Sequence, residues 1–394
     1  MIEVRRAGVL FLHRCIFRLA LAAGNIFAWV VVFRVFFLSS KNLEISLAGV
    51  SALYALSHAI TFLLTPLSGR ALRYGVRRAL ILGTLVAAAS FSFVALVFFN
   101  VSSHVQAFSL VAAFAILHGI YRALYWIPYR AAEAVSDYSP KILAGQALAA
   151  LMPAVAGFAI MSLDNGLLAV FAAVAGAMFV SAFVVARLPE TYEPFDWNYR
   201  ETLRELTARA NNLAVGLFIL DGIQGATLLL VWPLAAFLIV GQSFPILGAI
   251  LTATLCVAFL GRHLVRLLLH SLRLGRSPVV LATIVFSSWL FRLAAGTPVQ
   301  LLAVDVVYNS GTSPRRYSID IHSQEQSADG GHFVDEYTAI KEMGLAVGRI
   351  AVSLLFIVLL LTTAAPVAFA AAILAAAIAA AWSVFLAHRL QKVL

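Results

Sequence analysis

Charged residues are scarce in this sequence, and their scarcity excludes an ordinary water-soluble fold. Asp, Glu, Lys and Arg make up 12% of the 394 residues, whereas 62% are hydrophobic. A soluble domain carries roughly a quarter charged residues, so too little polar sequence remains to cover a water-facing surface. Apolar runs of about 20 residues, the length that a membrane-spanning helix needs, recur along almost the whole chain. The composition therefore predicts an all-α membrane protein.

Other signals are also missing. The two cysteines, Cys15 and Cys256, lie in apolar stretches without metal-ligand spacing, so we expect small buried residues rather than a disulfide framework. The sequence contains no phosphate-binding P-loop, zinc-protease motif or serine nucleophile elbow. We therefore expect no enzyme, no ATP-driven activity of this chain alone, no cofactor and no metal. No nucleic-acid-binding motif accompanies the net charge of +10.

The apolar runs divide into twelve predicted transmembrane helices. Every second loop between them is poor in basic residues, with Lys41 as the only Lys or Arg, whereas the intervening loops are rich in arginine. Basic loops stay in the cytoplasm, so we expect a multi-pass inner-membrane protein with both termini cytoplasmic. Because His13, Arg14 and Arg18 interrupt the first apolar run, we expect an uncleaved first span rather than a signal peptide. The predicted spans are 16–38, 45–67, 79–99, 105–129, 141–163, 165–187, 212–239, 244–265, 278–296, 297–313, 338–361 and 365–388.

The longest central connection, 188–211, predicts a cytoplasmic linker that contains a short amphipathic helix over 198–210. It separates an N-terminal six-helix bundle (1–187) from a C-terminal six-helix bundle (212–394). Ser68-Gly69-Arg70 after span 2 is echoed by Gly261-Arg262-His263 after span 8, about half a chain later. Pseudo-symmetric halves of this kind build alternating access around a midplane site in many secondary carriers.

The arrangement of six spans, linker and six spans resembles the major facilitator superfamily over the whole chain. The loop after span 2 is similar to the family signature Gly-x-x-x-Asp-Arg-x-Gly-Arg-Arg, with Ser68 for the first glycine and Leu72 for the aspartate, which helps to close the cytoplasmic side in that family. Val265 stands at the equivalent place in the second half. The candidate gate residues of this loop are Ser68, Gly69, Arg73, Gly75, Arg77 and Arg78.

The resemblance implies that spans 1, 4, 7 and 10 line a central cavity. Ionisable residues inside a span are costly, so each one is a candidate functional residue. Arg122 lies deep in span 4, where it could hold an anionic substrate group or pair with a carboxylate. The candidate substrate-binding residues, which recur at helical spacing on these spans, are Asn25, His118, Arg122, Tyr125, Trp126, Asp221, Gln224, Asp305 and Asn309.

Four residues are candidates for proton coupling: Asp221, Asp305, Glu342 and Arg349. Burial and a neighbouring arginine act on a carboxylate in opposite directions, which would allow its protonation to change during a cycle. Permanent ion pairs are the alternative, with Asp221 and Asp305 as partners of Arg122 or Arg349. Arg292 lies near the outer end of span 9, where we expect it to reach the membrane surface. The polar loop 314–337 predicts a solvated segment rather than a metal site.

These features predict a secondary active transporter for a small organic solute, anionic or amphipathic, with proton coupling as a further hypothesis. Its expected partners are that solute, the lipid bilayer and anionic lipid at the cytoplasmic loops, with no nucleic acid, and we expect a monomer. A lipid or lipid-linked precursor flippase of the same fold is one alternative. A non-transporting membrane receptor or scaffold is another.

Overall fold

The computed structural model describes residues 2–99, 103–134, 142–193, 195–271, 277–311 and 334–393. These residues form long α-helices joined by short turns, with no β-strand in the described ranges. The helices are α1 (Ile2–Ser40), α2 (Leu43–Ala71), α3 (Val76–Leu96), α4 (His104–Ala134), α5 (Ile142–Ser162), α6 (Gly166–Val185), α7 (Tyr199–Thr207), α8 (Asn212–Ala226), α9 (Trp232–Ile239), α10 (Phe244–Ser271), α11 (Pro278–Leu290), α12 (Pro298–Gly311), α13 (Val334–Thr362) and α14 (Ala365–Val393).

Each predicted span coincides with helix in the structure. Within the part of the chain that the structure describes, eight helical segments are long and apolar enough to cross a membrane. Three shorter apolar helices lie at Ala147–Ser162, Phe244–Ala258 and Pro278–Ala294, and the predicted span 297–313 corresponds to α12. The chain is therefore a multi-span helical membrane protein, and the count of twelve spans remains a prediction. Most of the predicted loop 314–337 lies outside the described residues.

Two sequence predictions need correction or refinement at this level. The cysteines were predicted to be buried, but Cys256 is exposed and Cys15 is only partly buried. The predicted amphipathic helix over 198–210 is divided into α7 and a 3₁₀ turn at Arg209–Asn211. Helix α7 begins with a capping box, in which Asn198 accepts from the Glu201 backbone N–H and the Glu201 carboxylate accepts from Asn198 N–H.

The seventh predicted span is one continuous helix with a π-helical insert. Thr227–Val231 has π-helical hydrogen bonding between α8 and α9. The Thr227 hydroxyl donates to the Ile223 carbonyl, 3.1 Å away, within the same helix. Since π-bulges occur frequently at functional sites, the insert makes this span a candidate for a functional role.

Here the first half means residues 1–187 of the sequence and the second half residues 212–394, and helix contacts occur within each half and also between them. In the first half, α3 packs against α4 and α6, α2 against α4, and α1 against α6. In the second, α8 packs against α13 and α14, α11 against α14, and α10 against α12. Across the halves, α2 packs against α13 and α5 against α10. The division into two six-helix bundles at 188–211 remains a prediction.

Glycines allow the closest of these approaches. A Cβ on Gly222 in α8 would collide with the Leu345 carbonyl of α13, and one on Gly348 in α13 would collide with the Ile219 carbonyl of α8. Between the halves, a Cβ on Gly248 in α10 would collide with the Pro153 carbonyl of α5. Small residues of this kind bring helix backbones together in membranes.

Candidate functional site

Three charged side chains meet where α4 faces α13. Nη2 of Arg122 lies 3.9 Å from Oε2 of Glu342, and these side chains are only 11% and 10% exposed. At this distance the two charges pair without a hydrogen bond, and Glu342 Oε2 has no hydrogen-bond partner within the described ranges. Two turns further along α13, Arg349 is also buried, and Arg122, Glu342, Tyr54 and Tyr121 lie within its electrostatic range.

Several N–H groups in this cluster are unsatisfied. Nε of Arg122 and both Nε and Nη1 of Arg349 are buried and have no acceptor among the residues that the structure describes. A Cβ placed on Gly225 of α8 would lie 3.5 Å from Arg349 Nε, so the absence of a side chain there leaves room beside the guanidinium. Buried polar groups normally have a partner, and an acceptor group of a ligand would supply one.

Two buried histidines belong to the same cluster. His58 of α2 and His118 of α4 are 1% and 3% exposed, and neither Nδ1 has a hydrogen-bond partner in the described part of the chain. His58 lies edge-on to Tyr54, with ring centroids 4.5 Å apart, and His118 lies edge-on to Tyr121, at 5.1 Å. The charges of Arg122 and Arg349 are close enough to act on both imidazoles. Helices α2, α4 and α13 thus share one polar cluster, and Gly225 of α8 lies beside it.

The charges of this cluster do not cancel. Among the described side chains of this cluster, two guanidinium groups face one carboxylate, which leaves one positive charge in excess when Glu342 is ionised and both histidines are neutral. An unbalanced charge inside a membrane protein is expensive unless a partner or a ligand compensates for it. The arrangement can therefore attract an anionic group.

The predicted polar stripe on α4 is split by the structure. His118 and Arg122 belong to the cluster, whereas Tyr125 packs in the core of the first half. The Tyr125 ring stacks on Phe17 of α1, with centroids 4.3 Å apart, and its hydroxyl lies 3.1 Å from Nε2 of His13. Trp126 is partly buried, and its indole Nε1 has no acceptor among the described residues.

Asp305 lies elsewhere, in a buried ion pair with Arg292. Nη2 of Arg292 donates to Oδ1 of Asp305 at 2.7 Å, and both side chains are almost fully buried. The Arg292 Cζ atom lies 4.6, 4.7 and 3.8 Å from the ring centroids of Trp232, Trp289 and Tyr308. The prediction that Arg292 reaches the membrane surface is wrong, because Asp305 and these rings replace the hydration that it would find there. The alternative that Asp305 pairs with Arg122 or Arg349 is also wrong.

Of the other predicted binding residues, Gln224 and Asn309 donate hydrogen bonds within their own helices, whereas Asn25 does not have a donor for its buried oxygen in the described part of the chain. Gln224 Nε2 donates to the Leu220 carbonyl and to Oδ1 of Asp221, at 3.1 and 3.3 Å. Asn309 Nδ2 donates to the Asp305 carbonyl of its own helix. The buried Oδ1 of Asn25 in α1 has no donor within the described ranges.

The predicted gate loop is fastened to the chain that follows α6. Glu190 accepts from the Arg77 backbone N–H at 3.0 Å and from Arg77 Nε at 3.2 Å, and Arg78 Nε lies 3.6 Å from the same carboxylate. Gly75 has φ of 124°, and a Cβ there would collide with Glu190, so the turn requires glycine. Leu72, at the place of the family aspartate, is fully buried.

Arg73 and the start of α13 hold the same linker peptide group. Nε and Nη2 of Arg73 donate to the Phe195 carbonyl at 2.9 and 2.5 Å. The Asp196 N–H of that peptide donates to Oε1 of Glu336 in α13, at 2.9 Å. The Phe195 ring is fully buried over Gly69. Ser68 is also fully buried, and the side chains of the second-half copy at 262–266 lie outside the described residues.

Three residues near these sites were not predicted from the sequence as site residues: His58, Tyr54 and Glu336. His58 and Tyr54 lie four residues apart on span 2, which the resemblance did not assign to the cavity. The general signal of an ionisable residue inside a span would have identified His58. Glu336 precedes the predicted span 338–361, and its acceptor role depends on a linker peptide about 140 residues away in sequence.

Comparison with solved structures places the fold among membrane transporters. A mutant of a nucleoside transporter aligns with 100% of this chain and 99% of its own, at TM-score 0.61 and 14% identity. A D-xylose–proton symporter aligns with 96% of this chain and 97% of its own, at TM-score 0.62 and 13% identity. A bacterial homologue of the human drug peptide transporters PepT1 and PepT2 aligns with 100% of this chain and 99% of its own, at TM-score 0.62 and 10% identity. No protein-family model and no curated protein sequence matches the chain. At these identities the likeness shows the fold alone, and the chain has the fold of major facilitator transporters.

Proposed function

We propose that this protein is a secondary active transporter that moves an organic anion across the cytoplasmic membrane by alternating access. The observation that carries this proposal is the excess of positive charge where Arg122, Arg349 and Glu342 meet between α4 and α13. The structural neighbours act on a nucleoside, a sugar and peptides, so the fold does not select the substrate and the side chains of the site must do so.

The binding step follows from the unsatisfied groups. A carboxylate or phosphate of the substrate accepts from the N–H groups of Arg122 and Arg349, which are planar donors suited to such oxygens. The apolar body of the solute then lies against the aromatic side chains around His118. Since α4 belongs to the first half and α13 to the second, one bound anion contacts both halves. Rocking of the halves around such a shared site is the usual basis of alternating access.

Proton coupling is assigned to Glu342 rather than to Asp221 or Asp305. Its carboxylate competes with the substrate anion for Arg122, and protonation would release that guanidinium. Among the described residues, the polar groups of this cluster around Glu342 are Arg122, Tyr121 and His118 on α4, Tyr54 and His58 on α2, and Arg349 on α13 itself. A proton on Glu342 and an anion on the arginines would then travel together.

Ligand-dependent thermal stability of the purified protein tests the substrate class. The panel contains mono- and dicarboxylates, sugar phosphates, neutral sugars and nucleosides. A ligand at one hundred times its Kd stabilises a folded protein by about 2.7 kcal/mol, so we expect anions to raise the melting temperature of the wild type. The same anions should leave Arg122→Ala unchanged. Stabilisation by neutral solutes alone, equal in both proteins, would contradict anion binding.

Uptake into proteoliposomes tests transport. We expect Arg349→Gln to lower uptake of the stabilising anion by roughly tenfold or more, the loss expected for a hydrogen bond to a charged group. Arg34→Gln is the matched control, because Arg34 is a span arginine that lies over the Phe244 ring instead of in the cluster. A receptor or scaffold would show no uptake in any variant and would tolerate Arg122→Ala.

The coupling assignment has its own assay. In Glu342→Gln we expect uptake to lose its dependence on an imposed pH gradient, while exchange of labelled for unlabelled anion continues. Asp221→Asn, on the neighbouring helix α8, should keep the gradient dependence. Uptake by Glu342→Gln that still follows the pH gradient would overturn the assignment.

An apolar crevice favours a lipid-linked or amphipathic substrate as the second candidate. The crevice between α1, α5 and α6 has a volume of about 350 Å³ and is lined only by apolar side chains, among them Ala156, Ala159 and Ala173. A flippase would need such a lateral place for an acyl chain. Ala173→Phe should then slow flipping of a fluorescent lipid, with Ala172→Phe, outside the lining, as the control. Equal flipping by the two variants and by empty liposomes would exclude this candidate.

A further inference from the structure

We infer that the peptide group between Phe195 and Asp196 is the latch that holds the two halves together on the side of the basic loops. Its carbonyl is bound by Arg73 of the first-half gate loop, and its N–H is bound by Glu336 of α13 in the second half. This inference rests on the proposed alternating-access function, because a latch matters only in a protein that opens.

The geometry of a peptide group suits it to this role. In a trans peptide the C=O and N–H point in opposite directions, so one group can join two partners that lie on its two sides. A cation on the oxygen and an anion on the N–H are each the favourable partner, and charged partners make hydrogen bonds roughly twice as strong as neutral ones. The peptide thus transmits an attraction between Arg73 and Glu336 without direct contact of their side chains.

The neighbouring residues fix this peptide in place. The Phe195 side chain is fully buried against Gly69, where a Cβ would collide with the ring. On the preceding residues, Val76 N–H donates to the Thr191 carbonyl at 2.8 Å and Arg77 binds Glu190. The linker is therefore bound to the first half at Glu190, Thr191 and Phe195, and the Asp196 N–H binds α13.

Leu72 explains why a latch of another kind is needed. In the resembling family an aspartate at this place helps to close the cytoplasmic side, but Leu72 is apolar and fully buried here. Glu336, 1% exposed, provides a carboxylate from the opposite half instead. When the basic side opens, α13 and the first-half loop must separate, and one of the two hydrogen bonds to the peptide must break.

Distance measurement between spin labels tests the latch without any transport assay. Labels are placed on Tyr74→Cys after α2 and Arg389→Cys near the end of α14, both exposed, in a Cys15→Ser/Cys256→Ser background. Double electron–electron resonance then reports the separation of the halves in lipid nanodiscs. Three variants remove the latch one part at a time: Glu336→Ala, Arg73→Ala and Asp196→Pro, which lacks the backbone N–H.

We expect all three variants to increase the population with long distances. Glu336→Ala should raise the open-to-closed ratio by roughly tenfold, because it removes a buried hydrogen bond to a charge, and Arg73→Ala should raise it less because Arg73 is exposed. The matched controls are Asp335→Ala on the same turn of α13, Arg70→Ala in the last turn of α2, and Asp196→Ala, which keeps the N–H. These should retain the wild-type distances.

Unchanged distances in the latch variants, or equal changes in the controls, would overturn the latch. Because three variants remove different parts of the latch, the test remains decisive even if one of them fails to fold. If the latch variants open but no solute is transported by the wild type, the latch stands and the proposed function fails. If the wild type transports a solute but the distances do not change in the latch variants, the proposed function stands and the latch fails.

Discussion

Arg292 and Asp305 show how a charged pair can be structural even on a predicted cavity-lining span. Both side chains are almost completely buried, and three aromatic rings surround the guanidinium. Arg122 and Glu342 differ from this pair in their separation, since they lie 3.9 Å apart and make no hydrogen bond, whereas buried N–H groups without an acceptor among the described residues occur at both sites. A close, hydrogen-bonded pair stabilises the fold, whereas a loose pair can exchange its partner for a ligand.

This contrast predicts opposite results for single and double substitutions at the structural pair. Asp305→Leu leaves the buried Arg292 charge without its partner, so we expect a loss of stability of about 3–5 kcal/mol. Arg292→Met/Asp305→Leu removes both charges and should recover most of that loss. Thermal unfolding in detergent measures both. A single variant as stable as the wild type would show that the pair is not structural.

At the residue scale, the sequence identified most of the charges of the site but not their pairing. Arg122, Glu342 and Arg349 were each conspicuous, because an ionisable group inside an apolar run is rare. Their meeting depends on the packing of α4 against α13, more than 200 residues apart, which no local pattern encodes. The pairing of Arg292 with Asp305 was missed because the turn between α11 and α12 folds the guanidinium back into the protein.

At the scale of helices, α8 and α13 approach each other closely beside the site. Gly222 and Gly348 face each other's helix backbone, and this approach places Gly225 beside Arg349. The apolar runs predicted the existence of these helices well, because length and hydropathy decide whether a segment can span a membrane. They could not predict the π-helical insert, since it depends on the packing of Thr227–Val231 against neighbouring helices rather than on composition.

The close approach predicts different effects for two glycines of the same helix. Gly222→Ala would push α8 away from the Leu345 carbonyl, and overpacking of this kind costs typically about 1–3 kcal/mol. Gly216→Ala is the control, since its Cβ would lie 3.5 Å from a Leu386 methyl group, an ordinary contact. We expect a lower melting temperature for Gly222→Ala alone, and equal melting temperatures would contradict the observed packing.

At the scale of the whole molecule, α5 and α10 join the halves at a second place. The Ala154 N–H donates to the Thr252 hydroxyl at 3.0 Å, and Gly248 lies against the Pro153 carbonyl. The overall likeness to transporters was predictable from the order of spans and basic loops. The substrate was not, because it is decided by a few side chains that the fold brings together.

This contact predicts that a covalent link between the halves stops the transport cycle. Ala154→Cys/Thr252→Cys, in a background without the two native cysteines, should form a cross-link with a short bifunctional maleimide. Uptake should then fall to the background level, while the single-cysteine variants treated in the same way retain it. A cross-linked double variant with full uptake would exclude rocking of the halves at α5 and α10.

The contact of the linker with both halves uses main-chain atoms at its centre, and this has a consequence for how related sequences diverge. Position 196 is free to vary to any residue except proline, since every other residue retains the N–H that Glu336 binds. Variation is instead restricted at positions 73 and 336, which provide the charges, and at 69, where the Phe195 ring leaves no room for a side chain. Related chains can therefore differ at position 196 and keep the same two hydrogen bonds to the peptide group. The restricted positions are 69, 73 and 336, which lie far from the linker in sequence.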